Sequence, residues 1–146
     1  MKERSAGPHV GVTPAARPLV LIVDDDEGIR GAVADILDEE GFRTAQATDG
    51  ADALNFLADA DGPPTVILLD LMMPVLDGWT FCKIRQGVQS LLEIPVIAVS
   101  AGSMVGSCEP LRVDATLAKP FDPDELTWLT TRMAGRRISL LRRPGA

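Results

Sequence analysis

Cysteine and histidine are scarce in this chain of 146 residues, and their scarcity excludes several kinds of catalytic site. The two cysteines, Cys82 and Cys108, lie far apart without metal-binding spacing, so we expect reduced thiols, with Cys82 in the core. The single histidine, His9, lies in an opening segment rich in proline and glycine. A histidine-based catalytic triad and a metal site with several histidine ligands are therefore excluded.

Basic residues and long apolar runs are also few. Lysine and arginine number 14 against 21 aspartates and glutamates, and the net charge of −7 argues against nucleic-acid binding. No apolar stretch approaches the roughly 20 residues that span a bilayer, and the N-terminus lacks the apolar core of a secretion signal. We therefore expect a cytoplasmic, single-domain protein with no membrane span.

What the chain does contain is an alternation of apolar runs and helical patterns from Pro18 onward. This alternation predicts the α/β class: a (βα)₅ doubly wound parallel sheet with strand order 2-1-3-4-5, flavodoxin-like, with helices on both faces. The predicted strands are Leu19–Val23, Phe42–Ala47, Val66–Leu69, Ile94–Val99 and Ala115–Ala118. The predicted helices surround Ile29–Leu37 (stopped by Gly41) and Ala53–Ala58, and begin near Asp77–Gly78 and after Asp122–Pro123.

Three segments fall outside this alternation. Residues 1–17 are expected to form a flexible tail, and residues 18–135 the folded domain. The last helix is expected to end near Ala134–Gly135, which leaves 136–146 as a basic tail, either a frayed terminus or a contact for a partner or an acidic membrane. Gly102–Pro110 contains two glycines, two serines and one proline, which weaken a helix. A fourth helix there is expected to be short, disordered or absent.

Carboxylates follow two strands that the predicted order makes neighbours. Asp24, Asp25 and Asp26 come directly after the first strand, and Asp70 ends the third. An isolated aspartate at such a place is most often a turn or helix cap, a role that we assign to Asp26. Asp24 or Asp25 is expected to lie close to Asp70, because the first and third strands are neighbours in the predicted order and their carboxyl ends meet at one edge, where such sheets bind ligands. Oxygen ligands without histidine or cysteine favour Mg²⁺ over zinc.

Two further polar residues end the remaining strands of this edge. Ser100 ends the fourth strand and supplies a hydroxyl, and Lys119 ends the fifth and supplies an ammonium group. Alone, each is more often a turn residue or a solvated charge. Together with the carboxylates they indicate a site that holds a phosphoryl group.

These motifs resemble those of the receiver domains of response regulators in two-component signalling, of the chemotaxis-regulator type. The resemblance covers about Leu19 to Met133, roughly four-fifths of the chain. It is carried by Val23-Asp24-Asp25, by Asp70-Leu-Met-Met-Pro74 with Asp77-Gly78, by Ser100-Ala101 and by Lys119-Pro120-Phe121. On this basis residues 18–135 are expected to be a receiver domain that stands alone.

The resemblance implies a role for each site residue. Asp70 would be the phosphoacceptor, which attacks the phosphohistidine of a histidine kinase or a histidine phosphotransfer protein. Asp25, Asp70 and the backbone carbonyl of Met72 would bind Mg²⁺ directly, and Asp24 through water. Lys119 and Ser100 would contact the phosphoryl oxygens. The Lys119–Pro120 peptide bond is expected to be cis.

The sequence departs from the family pattern at the switch. By resemblance, the residues that respond to phosphorylation, the switch residues, are Ser100 and the residue three positions before the lysine. The family has an aromatic residue at the second position, whereas this chain has Thr116. Aromatic rotation therefore cannot transmit the signal, and we expect the Gly102–Pro110 segment to order or shift instead. Met72 and Gly102 flank the approach of hydrolytic water without a polar side chain, which predicts a long-lived aspartyl phosphate.

Two other functions remain open. A receiver fold that binds partners without being phosphorylated is one, and Asp70→Asn would leave its partner binding unchanged. A Mg²⁺-dependent phosphatase with an aspartate nucleophile is the other, since Asp24 and Asp26 have its Asp-x-Asp spacing, and turnover of a small phosphoester would identify it. The favoured prediction is a monomer that catalyses only its own phosphorylation and dephosphorylation. It would signal by docking on an unknown downstream protein or by passing the phosphoryl group along a relay.

Overall fold

The computed structural model describes residues 17–59, 62–73, 75–101 and 111–141, with the side chains of 139–141 left aside. Strands and helices alternate along these residues. In chain order they are β1 (Leu19–Val23), α1 (Glu27–Glu39), β2 (Arg43–Ala47), α2 (Gly50–Asp59), β3 (Val66–Asp70), α3 (Gly78–Gln86), α4 (Gln89–Leu92), β4 (Val96–Ala101), β5 (Ala115–Lys119) and α5 (Pro123–Leu141).

The five strands form one parallel sheet in the order β2-β1-β3-β4-β5, which confirms the predicted topology. All five begin and end within two residues of the predicted bounds. Val23 of β1 pairs with Leu69 of β3, so the residues that follow them leave the sheet side by side. The register therefore brings Asp24 next to Asp70.

Both faces of the sheet are covered, which explains why β3 is apolar throughout and buried at every position. One core layer packs α2 and α3 against the sheet, with Leu21, Ile67, Leu69, Ala98, Phe81 and Cys82 among its buried members. The other packs α1 and α5, with Ile22, Leu68, Val99, Leu37, Leu126 and Met133 among its members. The prediction of Cys82 as a core residue is confirmed.

Local signals set the ends of α1. The Asp26 side chain accepts a hydrogen bond from the Ile29 N–H (3.1 Å), which confirms Asp26 as the N-cap. Gly41 has a φ of 96° just after the helix, a left-handed conformation that favours glycine. The predicted stop of this helix is therefore confirmed.

The end of the last helix was predicted wrongly. Helix α5 does not end near Gly135 but continues to Leu141, so the segment from 136 begins as helix and not as a tail. Arg137 explains the continuation, because it is 7% exposed and its Nη1 donates to the carbonyl of Glu93 at 3.1 Å. With Met133 and Ala134 buried one turn before, tertiary packing outweighs the cost of about 1 kcal/mol for glycine in a helix.

The short helix α4 was not predicted, and a buried arginine accounts for it. Arg85 of α3 is 1% exposed and donates to the carbonyl oxygens of Leu91 (3.2 Å) and Ile94 (2.9 Å). It also donates to the carbonyl of Arg112 (3.1 Å) and forms an ion pair with Asp114 (3.1 Å). These contacts join α3, α4 and the segment before β5, and they link residues too distant in sequence for a local pattern to reveal.

Some predictions concern residues beyond the described ones. These are the tail before Arg17, the fourth helix within Gly102–Pro110, and the end of the chain after Leu141. Within the described residues, no helix combines the length and the apolar character required to cross a membrane.

Candidate functional site

Three carboxylates meet at the carboxyl ends of β1 and β3. Asp24, Asp25 and Asp70 each offer an oxygen within 4.8 Å of the others, as the strand order predicted. Asp24 and Asp70 are buried, with 5% and 6% of their surface exposed, whereas Asp25 is exposed. The adjacency of β1 and β3 thus brings together side chains that are far apart in the sequence.

Asp24 is held from three directions. Its Oδ1 accepts from the Asp26 N–H (2.9 Å), and its own N–H donates to the carbonyl of Ala47 (3.2 Å). Its carbonyl accepts from Nη1 of Arg30 (2.7 Å), and Nε of Arg30 donates to Gln46 Oε1 (3.1 Å). Sequence reasoning missed Arg30. The available signal was its spacing of four residues from the Asp26 cap, which places it on the first turns of α1 beside the acidic loop.

Lys119 closes the site from the end of β5. Its Nζ lies 3.3 Å from Oδ2 of Asp24 and 3.4 Å from Oδ2 of Asp70, so one ammonium group bridges the two buried carboxylates. The peptide bond from Lys119 to Pro120 is cis, as predicted. The strand-end lysine is therefore part of the acidic site and not a solvated charge.

The charges at this site shift two pKa values. Burial is the main cause that raises the pKa of Asp70, and the negative charge of Asp24 raises it further. The hydrogen bond from Met72 and the positive charge of Lys119 lower this pKa, but by less. Burial alone would lower the pKa of Lys119, but the charges of Asp70 and Asp24 outweigh it, and this pKa is raised. Burial and the Asp24 charge thus hold the pKa of Asp70 above its ordinary value, while the two carboxylates hold the pKa of Lys119 above its own.

The loop after β3 fixes the direction of the Asp70 side chain. The Met72 N–H donates to Oδ1 of Asp70 (3.1 Å), while the Met72 side chain is 58% exposed. The Gly78 N–H donates to the Leu71 carbonyl (3.1 Å), which brings α3 against the acceptor strand. A Cβ on Gly78 would lie 2.6 Å from both the Asp70 carbonyl oxygen and the Leu71 Cα, so only glycine fits here.

Asp77, the residue before this glycine, has a different task. Its side chain accepts from the Thr80 N–H (2.8 Å) and caps α3. The Asp-Gly pair of the motif therefore starts the helix and permits its close approach to Asp70. Pro74 lies outside the described residues.

The two predicted switch residues lie on neighbouring strands. Ser100 is 2% exposed near the end of β4, where its hydroxyl donates to the Ala101 carbonyl at 3.3 Å. Thr116 is half-buried on β5 and pairs in register with Ala98. Gly102, the second position assigned to phosphate lifetime, lies outside the described residues.

The donor set suits a magnesium ion. Three carboxylate oxygens within 4.8 Å of one another form a cluster of hard ligands with no nitrogen or sulfur among them. Asp24 contributes to the raised pKa of Asp70, so the cluster carries a repulsion that a divalent cation would relieve. The residues present therefore fit the ion that the sequence predicted.

Comparison with known proteins decides the family. The profile of the response regulator receiver domain matches residues 20–130. The chain belongs to this family. Receiver domains are signalling modules, they bind Mg²⁺ in an acidic site of this kind, and they interact with histidine kinases or phosphotransfer proteins.

Individual relatives agree with this assignment. The alkaline phosphatase synthesis transcriptional regulatory protein SphR of Synechococcus elongatus is 37% identical over 79% of this chain, which spans only about half (49%) of SphR. Sporulation initiation phosphotransferase F of Bacillus subtilis is 32% identical over 73% of this receiver chain and 86% of its own length. The receiver domain of sensor histidine kinase PA1611 of Pseudomonas aeruginosa, solved with magnesium in its active-site cleft, is 27% identical with a TM-score of 0.73, covering 82% of this chain and 99% of that one.

Proposed function

We propose that Asp70 accepts a phosphoryl group from the phosphohistidine of a histidine kinase or a histidine phosphotransfer protein. The observation that carries this proposal is the position of the Asp70 carboxylate, which ends a central strand between an acidic pair and the bridging ammonium of Lys119. A carboxylate that only capped a turn would need neither a lysine nor two neighbouring acids.

The chemistry follows from these contacts. An oxygen of the ionised Asp70 attacks phosphorus, the bond from phosphorus to the histidine nitrogen breaks, and the donor imidazole leaves and takes up a proton. The Met72 N–H holds Oδ1 of Asp70, and Lys119 lies against Oδ2, so both acceptor oxygens have a defined orientation. After transfer, Lys119 would pair with the phosphoryl oxygens in place of the carboxylate. Ser100 follows Val99, the residue that pairs with Asp70 in the sheet, and would donate a further hydrogen bond to the phosphoryl group.

Magnesium would be held by Asp25, Asp70 and the backbone carbonyl of Met72, with Asp24 acting through water. The bound cation would neutralise charge on the phosphoryl group during transfer. The two basic residues near Asp24 act on different parts of it. Arg30 holds its backbone carbonyl by a hydrogen bond, whereas the ammonium of Lys119 offsets the negative charge of its carboxylate.

A groove beside the site offers a place for the phosphodonor. It has a volume of about 490 Å³ and runs from Lys119 along one side of α1. Its lining is almost entirely apolar: Ile29, Ala32, Val33, Ile36, Ala101, Pro120, Phe121 and Pro123 accompany Lys119. We propose that a helix carrying the phosphohistidine packs here, because the apolar strip starts at Lys119, whose Nζ contacts the acceptor carboxylate, and would hold the donor beside it.

The signal would leave the domain by docking on another protein or by passing the phosphoryl group on in a relay. The similarity to a sporulation phosphotransferase, most of which this chain covers, supports the relay. Thr116 in place of an aromatic residue supports a switch through Ser100 and the Gly102–Pro110 segment. The exposed, apolar Met72 side chain supports a slow hydrolysis of the aspartyl phosphate.

Two other functions, a phosphatase and an unphosphorylated interaction module, are weighed against phosphoryl transfer. The Asp26 side chain caps α1 through the Ile29 N–H, a structural role that argues against the second aspartate of the Asp24-x-Asp26 pair acting in phosphatase chemistry. The unphosphorylated interaction module keeps one point in its favour, the departure at Thr116.

The experiment is phosphorylation by acetyl phosphate or phosphoramidate with Mg²⁺, read by intact mass. We expect wild type to gain one phosphoryl group only when Mg²⁺ is present, and Asp70→Asn to gain none. Asp35→Asn, on the exposed surface of α1, is the matched control and should behave as wild type. A wild type that binds Mg²⁺ but gains no mass from either donor would favour the unphosphorylated module.

A further inference from the structure

Arg30 of α1 is a cation beside the acidic site, yet it forms no ion pair with a carboxylate among the residues that the structure describes. Its guanidinium group donates instead to two neutral oxygens. Nη1 donates to the backbone carbonyl of Asp24 (2.7 Å), and Nε donates to Oε1 of Gln46 (3.1 Å). The guanidinium fork suits carboxylates, which are abundant at this end of the sheet. Its use on two neutral oxygens therefore indicates a different task.

The place of Arg30 in α1 is unfavourable for the helix itself. Its N–H donates to the carbonyl of Asp26, the N-cap, at 3.0 Å, so Arg30 completes the first turn. The first turn of a helix carries partial positive charge, which favours an acidic residue such as Glu27 and disfavours a cation. The contribution of Arg30 must therefore come from its contacts outside the helix.

The peptide unit that joins Asp24 to Asp25 is what Arg30 holds. Because a peptide is planar, a hydrogen bond that fixes the Asp24 carbonyl also fixes the backbone from which the Asp25 side chain leaves. The Asp24 N–H is held as well, by the carbonyl of Ala47 at 3.2 Å. Gln46 and Ala47 are adjacent on β2, so one short stretch of this strand fixes the peptides on both sides of Asp24.

Asp25 depends on this support more than the other two acids do. Asp24 and Asp70 are buried, and the ammonium group of Lys119 contacts the carboxylates of both. Asp25 is exposed, and within the described part of the chain its carboxylate is in no hydrogen bond or ion pair. One of its oxygens nevertheless lies within 4.8 Å of oxygens of the other two. The position of this third carboxylate therefore depends on the backbone that carries it.

We propose that Arg30, anchored by Gln46, is a positioning residue for the divalent cation of the phosphorylation site. It holds the peptide between Asp24 and Asp25 so that the Asp25 carboxylate completes the cluster with Asp24 and Asp70. The proposal rests on the proposed function, because the cation is the Mg²⁺ expected there. Replacing residues that orient metal ligands without touching the metal commonly weakens metal binding by about 10- to 100-fold.

The sign of the effect separates positioning from charge. Arg30 is a positive charge beside an acidic cluster, so if it acted only through its charge, its removal would strengthen Mg²⁺ binding. If it only stabilised the fold, its removal would lower the unfolding temperature and leave the affinity for Mg²⁺ unchanged. Positioning predicts the opposite sign from charge, namely weaker Mg²⁺ binding in Arg30→Gln.

Calorimetric titration of the full chain with MgCl₂ measures this affinity with no phosphodonor present. We expect Arg30→Gln to weaken Mg²⁺ binding about tenfold. Gln46→Leu should weaken it about threefold, since the guanidinium loses one hydrogen bond. The double variant should bind Mg²⁺ no more weakly than Arg30→Gln alone, because Gln46 acts through the guanidinium.

Arg43→Gln is the matched control. Arg43 is an exposed arginine at the start of β2, where its Nε donates to the carbonyl of Arg17 at 3.2 Å and its backbone pairs with Leu19. The substitution therefore removes the same charge at the opposite end of the strand from Gln46. It should change the affinity for Mg²⁺ less than about twofold.

Three results would overturn the proposal: Mg²⁺ binding that is unchanged or stronger in Arg30→Gln, an equal loss in Arg43→Gln, and additive losses in the double variant. Circular dichroism verifies folding, and if Arg30→Gln fails to fold, Gln46→Leu, which keeps the guanidinium, gives the same test of sign. Phosphorylation by acetyl phosphate is measured in parallel. A wild type that binds Mg²⁺ and gains the phosphoryl group, with Arg30→Gln binding Mg²⁺ equally well, refutes positioning alone. A wild type without saturable Mg²⁺ binding refutes both proposals.

Discussion

At the scale of single residues, the acceptor carboxylate works against the stability of the metal-free fold. Asp70 is 6% exposed, and its pKa is raised above the ordinary value of 3.8 by burial, with Asp24 adding to the shift. A carboxyl group with a raised pKa in the folded state binds its proton more tightly there than in the unfolded chain. Stability is therefore complete below the ordinary pKa and is lost as pH rises through the raised pKa. The repulsion between Asp70 and Asp24 that contributes to this shift is one that a divalent cation would relieve.

The first prediction follows from this sign. Without divalent cations at pH 7, Asp70→Asn should unfold at a higher temperature than wild type, by about 3 °C for each kcal/mol gained. The difference should shrink as the pH falls through the raised pKa of Asp70 towards its ordinary value of 3.8, and Mg²⁺ should stabilise wild type more than the variant. Thermal denaturation followed by circular dichroism measures both effects. A wild type more stable than the variant at pH 7 without metal would contradict the account.

Gly78 gives a second prediction at this scale. Its missing side chain lets α3 approach the acceptor strand, and the atoms that a Cβ would meet belong to the backbone of Asp70 and Leu71. Gly78→Ala should therefore destabilise the fold by about 1–3 kcal/mol and weaken Mg²⁺ binding, because it displaces the peptide that orients the carboxylate. Chemical denaturation and calorimetric titration with Mg²⁺ measure the two effects.

Gly31 is the matched control for that substitution. It lies in α1, and a Cβ there would meet nothing within 4 Å. Gly31→Ala should stabilise the fold by about 0.5–1 kcal/mol, since alanine favours a helix, and should leave Mg²⁺ affinity unchanged. Similar losses in the two variants would show that contact with the acceptor strand is not what requires glycine at position 78.

At the scale of elements, Arg85 connects more of the fold than any local pattern suggests. Its buried guanidinium binds carbonyls around α4 and before β5 together with the Asp114 carboxylate. The same Asp114 oxygen accepts from the Val96 N–H (2.9 Å), so the first residue of β4 is fastened through the same group. The segment that enters β5, the strand of Lys119, is thus attached to α3, which begins beside Asp70.

Removal of this guanidinium is the third prediction. Arg85→Gln should lower the free energy of unfolding by about 3 kcal/mol, because several buried carbonyls and a carboxylate lose their donor. Lys83→Gln, an exposed change on the same helix, should shift it by less than about 0.5 kcal/mol. Urea denaturation compares the two, and a loss in Arg85→Gln no larger than in the control would refute the role assigned to Arg85.

The elements also show what sequence could and could not predict. The strands and the Asp26 and Gly41 helix signals were predictable, because period, capping and left-handed glycine are local features. The strand order was predictable because alternating strands and helices specify a doubly wound parallel sheet. Helix α4 and the continuation of α5 past Gly135 were not. Both depend on buried arginines that bind distant carbonyls, Arg85 in one case and Arg137 in the other. In both places tertiary contacts stabilise helix where the local sequence disfavours it, at Gly135 within α5 and in the four residues of α4.

At the scale of the whole molecule, the site is a consequence of strand order. Asp24 follows β1, while Asp70 ends β3 and Lys119 ends β5. They meet because parallel strands present their carboxyl ends at one edge. That placement was predictable from the sequence, whereas the contacts of the supporting residues were not. Gly78 belongs to a quoted motif and Arg30 has a helical spacing from Asp26, but both act through backbone atoms of Asp70 and Asp24, which neither signal specifies.

The central claim is that Asp70 itself carries the phosphoryl group, and one measurement tests it directly. The chain is phosphorylated with Mg²⁺ and acetyl phosphate, reduced with borohydride, which converts an aspartyl phosphate to homoserine, digested, and sequenced by mass spectrometry. The account predicts homoserine at position 70, dependent on Mg²⁺. Homoserine at position 24 or 25 in place of 70, or none in a chain that has gained phosphate, would contradict it.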